Sequence, residues 1–170
     1  RRVAIRTGVA HALDALQLTV MPWSPLASGL LSGKYSRADI GATASADQRA
    51  GRKTGLQLSG AINDRNLAIV AVVRKIATSI DATPSQVALA WLLAQPGRPL
   101  PIIGARTMAQ LTDNLGSLQV TLDTAQLAEL NEISQFQPGF PNKLYRNKRL
   151  RNMLVDRDAA IESGFQELYD

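Results

Sequence analysis

The sequence predicts an α/β fold in which helices join parallel strands, and only part of such a fold. Three observations support this. Two short apolar runs, residues 18–23 and 100–104, read as buried strands. Segments with helical spacing of apolar residues precede, separate and follow them. The resulting order is helix, strand, long loop, helix, helix, strand, helix, helix. Such an order needs crossover connections and therefore parallel pairing. Two strands cannot close a barrel or complete a sheet, so residues 1–170 read as a single partial domain.

Taken in order, Ile5, Val9, Ala12, Leu13 and Leu16 mark an amphipathic first helix. Its opening, from Arg1 to Ala4, carries no capping signal. The lone histidine, His11, sits off the apolar stripe and reads as a surface residue. Residues 18–23 follow as a strand, with Pro22 expected to end it. Residues 24–29 form a loop at the strand's C-terminal end. Residues 36–60, rich in Ala, Gly, Ser, Thr and charge, are expected to be a mobile connection.

Asn63 or Asp64 can cap a helix reaching about Ser79, with Ile69, Val73, Ile76 and Ile80 as its stripe. Thr83, Pro84 and Gln86 form a strong helix start: a cap, a first-turn proline and a capping-box partner. Val87, Ala90, Trp91 and Ala94 then share a face, and Pro96-Gly97 ends the helix. After the second strand, Thr107 opens a helix to about Leu115 with another Thr-x-x-Gln capping box. Asp123 caps a last regular helix to Ile133. A basic tail occupies residues 138–170.

Composition narrows the function classes. With 45% hydrophobic and 19% charged residues, the chain has a globular balance. No run approaches the roughly 20 apolar residues of a membrane helix, and no signal-peptide pattern opens the sequence. There is no cysteine, which excludes disulfides, thiolate metal sites and cysteine nucleophiles and fits a cytoplasmic location. A single histidine leaves no basis for a transition-metal site. The net charge of +5 gathers partly at Lys143, Arg146, Lys148, Arg149 and Arg151. This cluster reads as a solvated segment; it lacks the aromatic interleaving or motif of a nucleic-acid platform.

Ligands of parallel α/β folds bind where strands end, so two loops matter. Gly104-Ala105-Arg106-Thr107 leads from a strand into a helix. Small residues there let backbone approach an anion, the helix start offers N–H groups, and Arg106 adds a fork of donors suited to phosphate. Gln110 and Asn114 follow at steps of four, on one helix face. The alternative is structural: Gln110 closes a capping box with Thr107, and Asn114 is a surface residue. In the other loop, Trp23 offers a flat face to a planar ring, or is simply a core residue. Ser24 and Ser28 offer hydroxyls, Lys34 a charge, and Gly29 and Gly33 close backbone approach.

Together these segments resemble one family. Met21-Pro-Trp-Ser-Pro-Leu-Ala-Ser-Gly-Leu-Leu-Ser-Gly-Lys-Tyr35 resembles the loop after the seventh strand of aldo-keto reductases. Thr83-Pro-Ser-Gln-Val-Ala-Leu-Ala-Trp91 resembles the helix before their eighth strand. Ile102-Ile-Gly-Ala-Arg-Thr-Met-Ala-Gln-Leu-Thr-Asp-Asn114 resembles that strand and the adenosine-phosphate segment after it. The resemblance covers roughly Leu16 to Ile133, with fainter support at Pro138-Gly-Phe-Pro141.

The resemblance implies the C-terminal portion of a (β/α)8 barrel, with about two barrel strands present. It implies hydride transfer between NADP(H) and an aldehyde, ketone or alcohol. Trp23 would stack on the nicotinamide. Ser24, Leu26 and Ser28 would line the pyrophosphate, supported by Gly29 and Lys34. Gly104 and Arg106 would meet the 2′-phosphate and ribose, and Gln110 and Asn114 the same phosphate and the adenine. The family's catalytic Asp, Tyr, Lys and His lie on the first four strands, and nothing in this sequence corresponds to those strands. Tyr35, Tyr145 and Tyr169 lie in the wrong places. The expectation is therefore the cofactor-binding part of an oxidoreductase without its catalytic tetrad. The alternative is a non-catalytic NADP-binding or regulatory subunit of the same fold. An incomplete barrel would expose apolar edges that invite self-association.

Overall fold

The structure, a computed structural model, describes residues 16–40, 56, 59–97 and 99–135. The expected first helix with His11, the connection over 41–55 and the tail over 138–170 lie outside the described residues. The chain divides into two compact units, Thr19–Ser134 and one formed by Arg1–Leu18 with Gln135–Asp170. The first unit contains nearly every described residue and is the subject below.

Four α-helices among the described residues organise it: α1 Asp64–Ser79, α2 Pro84–Leu93, α3 Met108–Gly116 and α4 Thr124–Ile133. Each starts where a short polar side chain can take a first-turn N–H. Asn63 accepts from the Asn66 N–H, Thr83 from Gln86, Thr107 from Gln110 and Asp123 from Gln126. Reciprocal capping boxes close at Thr83–Gln86 and Asp123–Gln126. At α3 the expected box takes another form. The Gln110 amide oxygen reaches one residue further back and accepts from the Arg106 N–H at 2.9 Å.

The main core joins α1, α2 and α4. Val73, Ile76 and Ala77 of α1 meet Val87, Ala88 and Ala90 of α2, with Leu122 and Leu130 completing the cluster. Ile69 and Ile80, expected on the α1 stripe, are only half-buried; Val70 and Ala77 are buried instead. Helix α2 is not the one-faced helix its sequence suggested. Four consecutive residues, Val87 to Ala90, are buried, whereas Ala94 is exposed. A helix apolar around its circumference is a central element, and α2 packs against both α1 and α3. Between α1 and α4, the Lys75 ammonium donates to the Glu129 carboxylate at 2.9 Å. The Trp91 indole N–H donates to Asn131 of α4 at 3.1 Å.

The two expected strands meet only as one parallel bridge, Trp23 with Ile102. The Leu100 N–H donates to the Val20 carbonyl at 2.8 Å, and the Ile102 N–H to the Pro22 carbonyl at 3.0 Å. In this register the Leu100 carbonyl would next accept from the N–H of residue 22. Pro22 has none. Pairing reaches one residue past the proline, to Trp23, and the chain turns from Ser24. Pro22 removes a rung, and two regular strands reduce to a bridge among the described residues. Exposure alternates along both segments: Met21, Trp23, Leu100 and Ile102 are exposed, while Val20, Pro22, Pro101 and Ile103 are half-buried. One face of the pair is covered and the other is open, as period-two geometry requires.

A second cluster anchors the loop after the first segment. Leu30 and Tyr35 pack with Leu56, Ile62 and Val70. The loop coils into a 3-10 segment, Ala27–Ser32, and a shorter turn, Arg37–Asp39. Ser36 and Asp39 form a capping box around that turn, so the first residues of the expected mobile connection are ordered locally. No helix among the described residues is long and apolar enough to cross a membrane.

Candidate cofactor-binding site

Because the bridge is parallel, both segments run the same way. The loops that follow Trp23 and Ile102 leave from the same edge. This brings together the two stretches singled out from sequence.

In the first loop, Trp23 is 69% exposed on the open face of the pair. Ser24, Ala27 and Ser28 have positive φ angles of 54°, 50° and 57°, a region that non-glycine residues seldom occupy. Clustered backbone strain of this kind persists only where surrounding contacts over-determine it. Here the Ser28 N–H donates to the Ser24 hydroxyl, and the N–H groups of Ala27 and Gly29 donate to the carbonyls of Ser24 and Leu26. Leu26 packs against the main core, which ties the loop to the helices. At Gly29, φ is 89° and an added Cβ would meet the Lys34 Nζ at 3.1 Å. The Lys34 ammonium thus folds back over Gly29 and stands 5.1 Å from the centroid of the Tyr35 ring, a cation–π geometry.

In the second loop, Gly104 is exposed, and an added Cβ there would meet nothing within 4 Å. Arg106 is exposed, and its guanidinium has no partner among the described residues. Its N–H is held by Gln110. Thr107 takes the Gln110 N–H at 3.2 Å. The N–H groups of Met108 and Ala109 in the first turn have no acceptor among the described residues. A free guanidinium beside two open first-turn N–H groups is a site an anion fits.

Asn114 departs from the surface alternative. It is buried, 6% exposed, and its side-chain amide has no hydrogen-bond partner among the described residues. Buried amides are nearly always bonded, so an exception points to an absent partner. Gln110, one turn earlier, is exposed and committed through its oxygen to Arg106. The two therefore share a face of α3 in sequence but not an environment. Sequence reasoning did not select Tyr35 or Asp113. Tyr35 underlies the Lys34 ammonium, and Asp113 accepts a hydrogen bond from Thr83 at 2.8 Å. The Thr83–Asp113 contact joins residues thirty apart and has no local sequence signal. Among the described residues no group of His, Asp or Glu could hold a metal ion.

Comparison with known proteins bears on the family of the chain. A family model described as the aldo/keto reductase family matches residues 4–135. The chain is 32% identical over 146 residues to the aldo-keto reductase yakc [NADP(+)] of Schizosaccharomyces pombe, a match covering 81% of this chain and 42% of that protein. It is 31% identical to the aldo-keto reductase str7 of Strobilurus tenacellus, covering 83% of this chain and 40% of that protein. An uncharacterized oxidoreductase, YrpG, of Bacillus subtilis is 36% identical over 131 residues, or 75% of this chain and 36% of that protein. The chain thus spans about two fifths of the length of these relatives. Spread over most of its residues, the matches carry one conclusion: this chain belongs to the aldo/keto reductase family.

Proposed function

We propose that this chain is the NADP-binding, C-terminal part of a (β/α)8 oxidoreductase that reduces an aldehyde or ketone. The observation that carries the reading is the parallel Trp23–Ile102 bridge. It sets an exposed aromatic at one strand end beside the loop that begins at Gly104. In this reading Trp23 stacks on the nicotinamide, and Ser24, Leu26, Ser28, Gly29 and Lys34 form the pyrophosphate side. Gly104, Arg106, Gln110 and Asn114 form the adenosine side. NADPH, when bound, supplies the hydride. The residues of this chain bind and orient it, and acid–base groups come from other strands of the barrel. The name yakc [NADP(+)] supports the choice of cofactor, as does Arg106, since NAD lacks the phosphate that a guanidinium pairs with.

Titration of the 170-residue chain with NADPH and with NADH tests this. Wild type is expected to prefer NADPH, and Arg106→Ala to lose that preference while retaining its NADH affinity. A charge-assisted contact of about 1.5–3 kcal/mol corresponds to roughly a 10- to 100-fold loss for NADPH. Equal affinity for both nucleotides in the wild type would remove Arg106 from the phosphate site.

A further inference from the structure

The parallel bridge pairs Trp23 with Ile102, and paired residues of a ladder send their side chains to the same face. The hydrogen bonds of Leu100 to Val20 and of Ile102 to Pro22 set Met21 opposite Leu100 in the same register. Four apolar side chains therefore stand on the open face in two rows, all of them exposed. Ile102 is the least exposed of the four, at 44%, as expected of an aliphatic side chain with an indole beside it.

The two rows are not equivalent. Trp23 and Ile102 stand at the edge from which both loops leave: the chain turns at Ser24, whose φ is 54°, and reaches Gly104 two residues after Ile102. Met21 and Leu100 lie about 6.5 Å further back, two residues of strand rise. A ligand held by the two loops meets the edge row and not the row behind it.

An indole open to solvent over most of its surface has several staggered side-chain wells, and stacking on a planar ring needs one of them. Neighbouring strands about 4.8 Å apart bring the branched Cβ of Ile102 alongside that indole. Branching at Cβ leaves Ile102 few rotamers of its own. It is thus a stiff wall on one side of Trp23, and an aromatic beside a β-branched residue is a favourable cross-strand pair.

We propose that Ile102 is a positioning residue for the nicotinamide end of the cofactor, holding the Trp23 indole in the orientation that receives the ring. The inference rests on the cofactor reading above, and it adds to it a residue on the other strand.

The test titrates the full chain with NADPH and with adenosine 2′,5′-bisphosphate, which lacks the nicotinamide. The variants are Ile102→Ala, Ile102→Val and Leu100→Ala. Ile102→Ala is expected to bind NADPH about threefold more weakly, the worth of one cross-strand pair, and the bisphosphate like the wild type. The fluorescence polarisation of the bound reduced nicotinamide should fall with it. Ile102→Val keeps the branch at Cβ and should bind both ligands like the wild type. Leu100→Ala removes an equally exposed side chain from the row behind and should also leave both affinities unchanged.

Wild-type NADPH affinity in Ile102→Ala overturns the inference. Equal loss for both ligands leaves only a disturbance of the loop that begins at Gly104 and overturns it too. Loss in Ile102→Val equal to that in Ile102→Ala overturns the branched Cβ as its basis, and equal loss in Leu100→Ala overturns the edge row. Absence of NADPH binding by the wild type overturns the cofactor reading and this inference with it. That outcome differs from failure of the inference alone, in which the wild type binds NADPH and Ile102→Ala either matches it or loses both ligands alike.

Discussion

Trp23 pairs with Ile102 one residue beyond Pro22, which takes part in the pairing through its carbonyl alone. The rung it cannot make faces the Leu100 carbonyl. Replacing Pro22 with Val restores an N–H at that place. The amide of residue 22 is expected to become protected from hydrogen exchange. One added hydrogen bond is offset by the greater freedom of the unfolded chain, so stability should change by about 1 kcal/mol at most. An amide at 22 that exchanges as fast as an exposed coil would refute the register.

The two site glycines are expected to behave differently. Gly29 has φ 89° and the Lys34 ammonium above it. Gly29→Ala should cost about 1 kcal/mol or more in urea unfolding. Gly104 has open space where a Cβ would stand, so Gly104→Ala should fall within about 0.5 kcal/mol of wild type. If Gly104→Ala nevertheless weakens NADPH binding, the glycine serves close approach by the ligand. Equal destabilisation by both substitutions would contradict the loop geometry.

Asn114 sets stability against binding. Its buried amide lacks a partner among the described residues, a condition that costs about 1–3 kcal/mol. Asn114→Leu should therefore raise the melting temperature of the free chain and improve helix propensity. The same substitution should weaken NADPH binding by about tenfold, because the amide no longer meets the nucleotide. A lowered melting temperature would show that the amide is already satisfied.

The Arg37–Asp64 pair is short, 2.6 Å, but its side chains are 81% and 69% exposed. Solvent and salt screen such a pair. A double-mutant cycle with Arg37→Ala and Asp64→Ala should give a coupling of about 0–1 kcal/mol that shrinks in high salt. A large, salt-insensitive coupling would mean that the pair anchors the loop to α1.

Local chemistry made much of the fold legible. Asn63, Thr83, Thr107 and Asp123 mark helix starts because capping needs only the next three residues. The motifs around Trp23 and Arg106 gave away the family for the same reason: their spacing lies within continuous stretches of chain. What was not legible depends on distant partners. Nothing near Val87 announces that four consecutive residues of α2 will be buried, because that follows from α1, α3 and the 3-10 segments packing around it. Nothing near Asp113 announces Thr83, thirty residues away in sequence. The proline is a strong local signal whose consequence is not local. Its missing N–H matters only opposite the Leu100 carbonyl, and pairing register is a tertiary fact.

The sequence by itself determined the order of the helices, their caps, the parallel sense of the two extended segments and the family. These follow from periodicity and short-range hydrogen bonding. Only the tertiary structure decided that Trp23 faces outward, that Asn114 is buried without a side-chain partner among the described residues and that the Gln86 amide comes to lie against Gly116. Those depend on which surfaces meet, and burial and contact are settled by packing between segments far apart in the chain.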